Sequence, residues 1–280
     1  MLTKALLVNQ VEEFLTELKY NEKADNTIKK YAGNLNCFFN WLDDETEITK
    51  DLMLNFKKHL IDSGFETSTI NSYIVTVNKY LKWLGYKELV VKQLKQQRKN
   101  SLEDVLNVKE YKRLLRFAKA AGKIKIYYIM KVFAMTGIRV SELKYITVEN
   151  LKSNYIKVTN KGKEREIIIR QDLLRELRKY CRENGIYSGY IFPGKVKGKL
   201  ISESTIWRNM RKIGGQARVK LSKIHAHSFR HLFAKMYLQE YPNNITELAD
   251  ILGHNSLETT RIYTRSTSQE KREKLEKIKY

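Results

Sequence analysis

Two stretches of this chain, offset by 42 residues, carry one pattern, and that pattern restricts the first third of the protein to paired helices. Asn26-Thr27-Ile28-Lys29-Lys30-Tyr31 leads into Phe38-Phe39-Asn40-Trp41-Leu42. Ser68-Thr69-Ile70-Asn71-Ser72-Tyr73 leads into Tyr80-Leu81-Lys82-Trp83-Leu84. Within the first copy Ile28, Tyr31, Leu35, Phe38, Phe39 and Leu42 recur at three- and four-residue steps, which line one face of a helix. Asn26 and Ser68 are the expected N-caps, because their side chains can accept from orphan first-turn N–H groups. A further helix is predicted before each copy, over 4–19 and 49–62. The two hairpins make a helical domain over residues 1–90. Two copies are too few for a solenoid, which needs at least about three.

Residues 107–265 read as a second, mixed domain. Helices are predicted over 107–120, 124–136, 141–146, 172–184, 203–217, 227–240, 245–252 and 256–264. Asn154-Tyr155-Ile156-Lys157-Val158-Thr159 and Glu164-Arg165-Glu166-Ile167-Ile168-Ile169 read as strands. Asn160-Lys161-Gly162-Lys163 joins them, with Gly162 able to take the positive φ of a tight hairpin. The expected fold class is therefore mostly α with a small antiparallel β-sheet, a helical N-terminal domain preceding a mixed α/β domain. Residues 91–106, basic at their centre, read as a linker that is either solvated or laid along a polyanion. Residues 266–280 form a polar tail in which only Leu275 and Ile278 suggest a docking face.

Charge is divided unequally between these parts. Residues 1–100 hold 15 Lys/Arg against 13 Asp/Glu, a net of +2, whereas residues 101–280 hold 38 against 18, a net of +20. Such an excess repels itself in a compact domain, so a polyanionic partner is its natural reason. Nucleic acid is the first candidate and an anionic membrane surface the second. A merely solubilising lysine-rich surface is the bland alternative. No apolar run approaches the roughly 18 residues of a spanning helix. Met1-Leu2-Thr3-Lys4 opens no signal-peptide apolar block. Cys37 and Cys181 cannot build a disulfide framework. A cytoplasmic protein with no membrane partner is expected.

Four of the five histidines fall within His225–His254, so chemistry is sought there. His227 and His231 are four apart on a helix, a zinc spacing. Yet no Cys lies nearby, no Glu follows His227, and Arg230 between them would repel a cation, so no metal or other cofactor is expected. His227 and Arg230, three apart, share a helix face. A histidine beside a guanidinium suits an oxyanion, since arginine offers a planar fork of donors that fits phosphate. Tyr263 follows His254 by nine residues. Upstream, Gly137 breaks an apolar helix and leaves Arg139 at a junction.

At these residues the sequence resembles the tyrosine recombinases, the lambda-integrase and Xer group. An arginine block matches Thr136-Gly137-Ile138-Arg139-Val140-Ser141-Glu142-Leu143, and a hairpin lysine matches Lys161. A His-x-x-Arg block matches His227 to Arg230, a Leu-Gly-His block matches Leu252-Gly253-His254, and the Tyr263 spacing agrees. The resemblance implies a core-binding domain, a linker and a catalytic domain gripping opposite faces of double-stranded DNA. It also implies strand exchange through a 3′-phosphotyrosine intermediate and a Holliday junction, without metal or ATP. Arg139 and Arg230 would hold the non-bridging phosphate oxygens while Tyr263 attacks phosphorus. Lys161 would protonate the leaving 5′-oxygen, His227 would act as general acid/base, and His254 would hydrogen-bond the scissile phosphate.

The resemblance further implies a homo-tetramer on two DNA sites, with the tail docking on a neighbouring protomer, and a nucleoid-associated location. It leaves room for an accessory or activating protein. Because the first helix begins almost at Met1, a separate arm-binding domain is not expected, which favours an Xer-like enzyme or a minimal mobile-element integrase. Several assignments stay open. Lys163 sits in the same turn as Lys161. Glu142 either orients an arginine or is an ordinary first-turn acid, His231 packs or orients its neighbours, and His225 and His59 have no role. Two other functions use such a scaffold: a non-catalytic DNA-binding protein and a type IB topoisomerase.

Overall fold

The computed structural model describes residues 2–44, 47–95, 105–160, 163–196, 198–254, 256–264, 272 and 275–278. The chain forms two compact units, Met1–Arg98 and Lys99–Tyr280. The first is helical: α1 (Lys4–Asn9), α2 (Val11–Tyr20), α3 (Asp25–Trp41), α4 (Lys50–Asp62) and α5 (Thr67–Trp83). The periodic apolar faces meet as the repeat demands. Leu7, Leu35, Phe38, Met53, Phe56, Ile74, Val77 and Tyr80 are completely buried. Phe38 meets Phe56 edge-on at 4.8 Å, and Phe14 meets Tyr80 at 5.0 Å. At the centre, Asn34 Nδ2 donates to Thr76 Oγ1 at 2.8 Å and to the Ser72 carbonyl at 3.1 Å, so the one buried amide of α3 is satisfied by α5.

Three local expectations need correction here. The single helix over 4–19 is broken at Gln10, whose N–H turns back to the Leu7 carbonyl at 3.3 Å and whose ψ of 1° leaves the helical line. Asn26 and Ser68 are not N-caps. Helix α3 starts after extended Ala24 and α5 after extended Glu66. The carbonyls of these two residues accept from Thr27 and Thr69 at 2.8 Å, so backbone closes each first turn and no side chain is required. The start of the expected linker is fastened to the first unit. Val91 is buried, and Asn78 and Asn71 of α5 each pair with both backbone groups of one residue, Val91 and Leu94 respectively.

The second unit contains α6 (Val108–Ala120), α7 (Ile124–Thr136), a 3₁₀ turn at Val140–Tyr145, β1 (Tyr155–Asn160), β2 (Lys163–Ile168) and α8 (Gln171–Glu183). Then follow α9 (Glu203–Gln216), α10 (Ala226–Glu240), α11 (Ile245–Leu252), α12 (Leu257–Arg261) and a 3₁₀ turn at Ile262–Thr264. The predicted helices over 141–146 and 256–264 thus resolve into a 3₁₀ turn and a short helix with a 3₁₀ end. A capping box of Asn107 and Glu110 starts α6. The strands pair antiparallel, with Val158 opposite Arg165 and Asn160 opposite Lys163. Ile156, Val158 and Ile167 face the core. Among the described residues no helix is long and apolar enough to cross a membrane. Lys161 and most of the 266–280 tail lie outside the described residues.

Candidate active site

The site is built around the C-terminal end of α11. A helix end leaves carbonyls without intrahelical partners and carries partial negative charge. Three consecutive carbonyls there accept from three different arginines. Ile251 accepts from Arg165 Nη1, Leu252 from Arg230 Nη2 at 2.6 Å, and Gly253 from Arg139 Nη2 at 3.0 Å. These arginines come from β2, α10 and the loop after α7. Like charges that would otherwise repel are gathered on one set of fixed dipoles.

Two glycines allow this approach. Gly137 ends α7 with φ +65°, and a Cβ there would lie 2.6 Å from Phe233 Cδ1. The chain can then turn to present Arg139, and the Gly137 carbonyl accepts from Arg230 Nη1 at 2.6 Å. Gly253 ends α11 with φ +63°, and a Cβ there would lie 2.4 Å from Arg165 Cδ. Any side chain at 253 would push Arg165 out of its seat.

Glu142 is the anionic counterpart. It is 1% exposed and accepts from the Arg139 backbone N–H at 2.8 Å, from Arg139 Nη1 at 3.1 Å and from Arg165 Nη2 at 2.5 Å. Burial pushes its carboxyl up, but the Arg139 backbone N–H and the charges of Arg165 and Arg139 outweigh that and hold it below the usual carboxylate range. Of the two open readings of Glu142, the geometry matches the one in which it orients an arginine.

Helix α10 supplies the next group. His225, which had no role in the sequence, caps it: its Nδ1 accepts from the Ser228 N–H at 3.3 Å. Arg230 is buried. Desolvation, then the Arg139 charge, bring it down to about 10, with the Tyr263 hydroxyl beside it acting in the opposite direction, so it stays protonated at neutral pH. His227 has an exposed edge. Its inner side packs edge-on against His231 at 4.7 Å, and that desolvation, then the Arg230 charge, lower its pKa. His231 is pushed down to about 3 by burial and by His227. Its buried Nδ1 has no hydrogen-bond partner. It serves as a neutral wedge, meeting Tyr263 edge-on at 4.8 Å.

Tyr263 is 4% exposed and packs on Ala234, Leu248 and Leu252. Its ring stacks on His254 at 5.8 Å. His254 Nε2 is 2.9 Å from Arg230 Nη2, and its Nδ1 is 2.8 Å from Thr260 Oγ1. Burial, then the Arg230 and Arg139 charges, push His254 down to about 4. Among the described residues no three His, Cys, Asp or Glu are grouped to hold a metal ion.

Arg139, His227, Arg230, His254 and Tyr263, scattered over 125 positions of sequence, are thus brought to one place. Sequence reasoning missed Arg165 and Thr260. Arg165 had a signal: along β2 it has the inward parity of Ile167, and its side chain is only 9% exposed. Thr260 had none, being one of many polar residues in a polar segment. Chemically, the cluster offers fixed guanidinium donors, neutral imidazoles and a phenol. That combination suits an oxyanion attacked by an oxygen nucleophile.

The comparisons with known proteins agree with this chemistry. Residues 104–270 match the phage integrase family, and residues 11–88 match the phage integrase N-terminal SAM-like domain. The tyrosine recombinase XerA of Pyrococcus furiosus is 32% identical over 99% of this chain and 96% of its own. The tyrosine recombinase XerD of Rhizobium meliloti is 25% identical over 91% of this chain and 89% of its own. Among solved structures, a lambda integrase tetramer bound to a Holliday junction superposes with a TM-score of 0.75 at 16% identity, covering 95% of this chain and 80% of that one. A XerH recombinase bound to difH in a post-cleavage complex gives 0.72 at 20% identity, covering 95% and 83%. With a full-length relative at this identity and a family model spanning more than half of its residues, the chain belongs to the phage integrase family and is a tyrosine recombinase.

Proposed function

We propose that Tyr263 is the nucleophile of site-specific strand exchange in double-stranded DNA, and that Arg139 and Arg230 hold the scissile phosphate. The Tyr263 oxygen attacks phosphorus and forms a 3′-phosphotyrosine ester as the P–O5′ bond breaks. The phenolic proton passes to His227, and the leaving 5′-oxygen takes a proton from Lys161. The resemblance implies that His254 hydrogen-bonds the phosphate; with Nε2 on Arg230 and Nδ1 on Thr260, it instead braces Arg230 beside that phosphate. The ester conserves the energy of the broken bond, so a second 5′-hydroxyl can displace the tyrosine without ATP.

The observation that carries this reading is the packing of Tyr263 against the imidazole that also contacts Arg230, itself anchored on two backbone carbonyls. Such anchoring means the donors need little reorganisation as charge grows on phosphorus. The net +20 beyond residue 100 supports a duplex partner for the same unit. The lambda integrase relative forms a tetramer on a Holliday junction. A homo-tetramer on two DNA sites in the nucleoid, with an accessory protein where the site demands it, is the corresponding assembly here. The Xer relatives favour an Xer-like enzyme over a minimal mobile-element integrase.

The test uses DNA recovered bound to the protein from cells, remade as a nicked suicide oligonucleotide. Wild type should form a covalent adduct that denaturing gels resolve, and Tyr263→Phe should bind equally and form none. Binding without an adduct by wild type would leave only a DNA-binding protein. Relaxation of any supercoiled plasmid without site preference would favour a topoisomerase.

A further inference from the structure

The segment that bears Tyr263 is tied to the arginine cluster through one side chain that the reaction above does not use. Thr260 is completely buried, one turn ahead of Tyr263, and its Oγ1 is 2.8 Å from His254 Nδ1. The other ring nitrogen, Nε2, is 2.9 Å from Arg230 Nη2. A guanidinium nitrogen only donates, so Nε2 must hold a lone pair. In the neutral ring the proton then sits on Nδ1 and is donated to Thr260. The doubly protonated ring is excluded by the same contact, since it would point N–H against N–H.

We infer that Thr260 is a positioning residue for strand cleavage: it holds His254 in the Nδ1–H tautomer, whose Nε2 fixes the Arg230 guanidinium. Arg230 Nη1 is already committed to the Gly137 carbonyl, and Nη2 is shared between the Leu252 carbonyl and His254. Of these three anchors the third is made by an imidazole, and it is the one a tautomer change can lose. Without an acceptor at 260, Nδ1–H would be a buried donor left unpaired, and the ring would gain by moving its proton to Nε2 or by turning away. Either change removes one of the three anchors of Arg230 and loosens the ring on which Tyr263 stacks.

The inference rests on the recombination reading above for its kinetic arm only. In full-length protein labelled with ¹⁵N-histidine, long-range ¹H–¹⁵N spectra report which nitrogen carries the proton, and the His254 signals are identified by their loss in His254→Gln. Wild type should show the Nδ1–H pattern. Thr260→Val, similar in shape but without the acceptor, should lose that pattern. On the nicked oligonucleotide it should form adduct about 10- to 100-fold more slowly at unchanged DNA affinity. Thr260→Ser should restore both. A valine variant that keeps the Nδ1–H pattern overturns the inference whatever its rate, and so does a serine variant that fails to restore. If valine disturbs folding, Thr260→Ala decides by the same two measurements. Absence of any adduct with wild type would overturn the recombination reading and leave the spectroscopic arm standing.

Discussion

The two units hold their helices together by opposite means. In Met1–Arg98 the centre is aromatic and neutral, with Phe14, Phe38, Phe56 and Tyr80 in ring contact and Asn34 satisfied by other neutral groups. The second unit joins a conventional core to a charged knot. There, Arg139, Arg165 and Arg230 converge on the end of α11, and Glu142 is buried between two of them. Apart from Asn34, the first arrangement is largely non-directional and tolerates hydrophobic swaps that keep volume. The second is directional, and each member is needed to satisfy another. On the proposed reading, the near-neutral helical unit contributes shape to DNA binding, and the knot keeps cations aimed at the phosphate to be stabilised.

The largest expected effect separates the two kinds of packing. Met53→Leu, in the fully buried core of the first unit, should cost less than about 1.5 kcal/mol. Arg165→Met removes one partner of a buried pair and should cost about 3–5 kcal/mol, toward the lower end because Arg139 still faces Glu142. Denaturant titration of the full chain, with hydrogen exchange to report which unit opens, measures both. Equal losses would erase the contrast.

A somewhat smaller effect is expected in catalysis. Arg230→Lys keeps a charge, but a single ammonium cannot reach Gly137, Leu252 and His254 together. Adduct formation should fall about 10²–10³-fold while DNA affinity changes little. A matched Asn34→Asp change in the first unit should leave the cleavage rate of bound DNA alone. If it slows cleavage as much as Arg230→Lys, the division of labour fails.

The smallest effect is in pH. His231 and His254 titrate at about 3 and about 4 in the fold, against 6.5 ordinarily. Between those values the unfolded chain binds more protons than the folded one, so stability falls as pH drops from 7 toward 4. The slope is at most about 1.4 kcal/mol per pH unit for each ring. Glu142, with its pKa lowered in the fold, acts further down: its contribution is present above the unfolded carboxylate pKa and is lost as pH falls through the folded one. The only histidine of the first unit, His59, is exposed. Exchange protection of α10 and α11 should therefore decline relative to α3 and α5 between pH 7 and 5, and parallel decline would contradict the assignment.

Much of this was legible in the sequence. Periodicity gave both hairpins of the first unit and the strand pair of the second, because a helix or strand face is a local property. Motif spacing singled out Arg139, His227, Arg230, His254 and Tyr263, and the fold brings all five together. What escaped was local backbone closure, as at Gln10, Ala24 and Glu66, where no side chain advertises the turn. Arg165 and Thr260 escaped for a different reason. Each acts through a partner rather than through a spacing of its own.

By itself, then, the sequence determined most of the elements, their buried faces, the uneven charge and a list of candidate site residues. Each of these follows from side chains within a few turns of one another. Only the tertiary structure decided how those groups are aimed. The contacts that do so join Arg139 to Gly253 across 114 residues, Arg230 to Gly137 across 93 and Arg165 to Ile251 across 86. A hydrogen bond is made or missed within a few tenths of an ångström. At such separations its geometry is fixed by how whole helices pack, which no local pattern records.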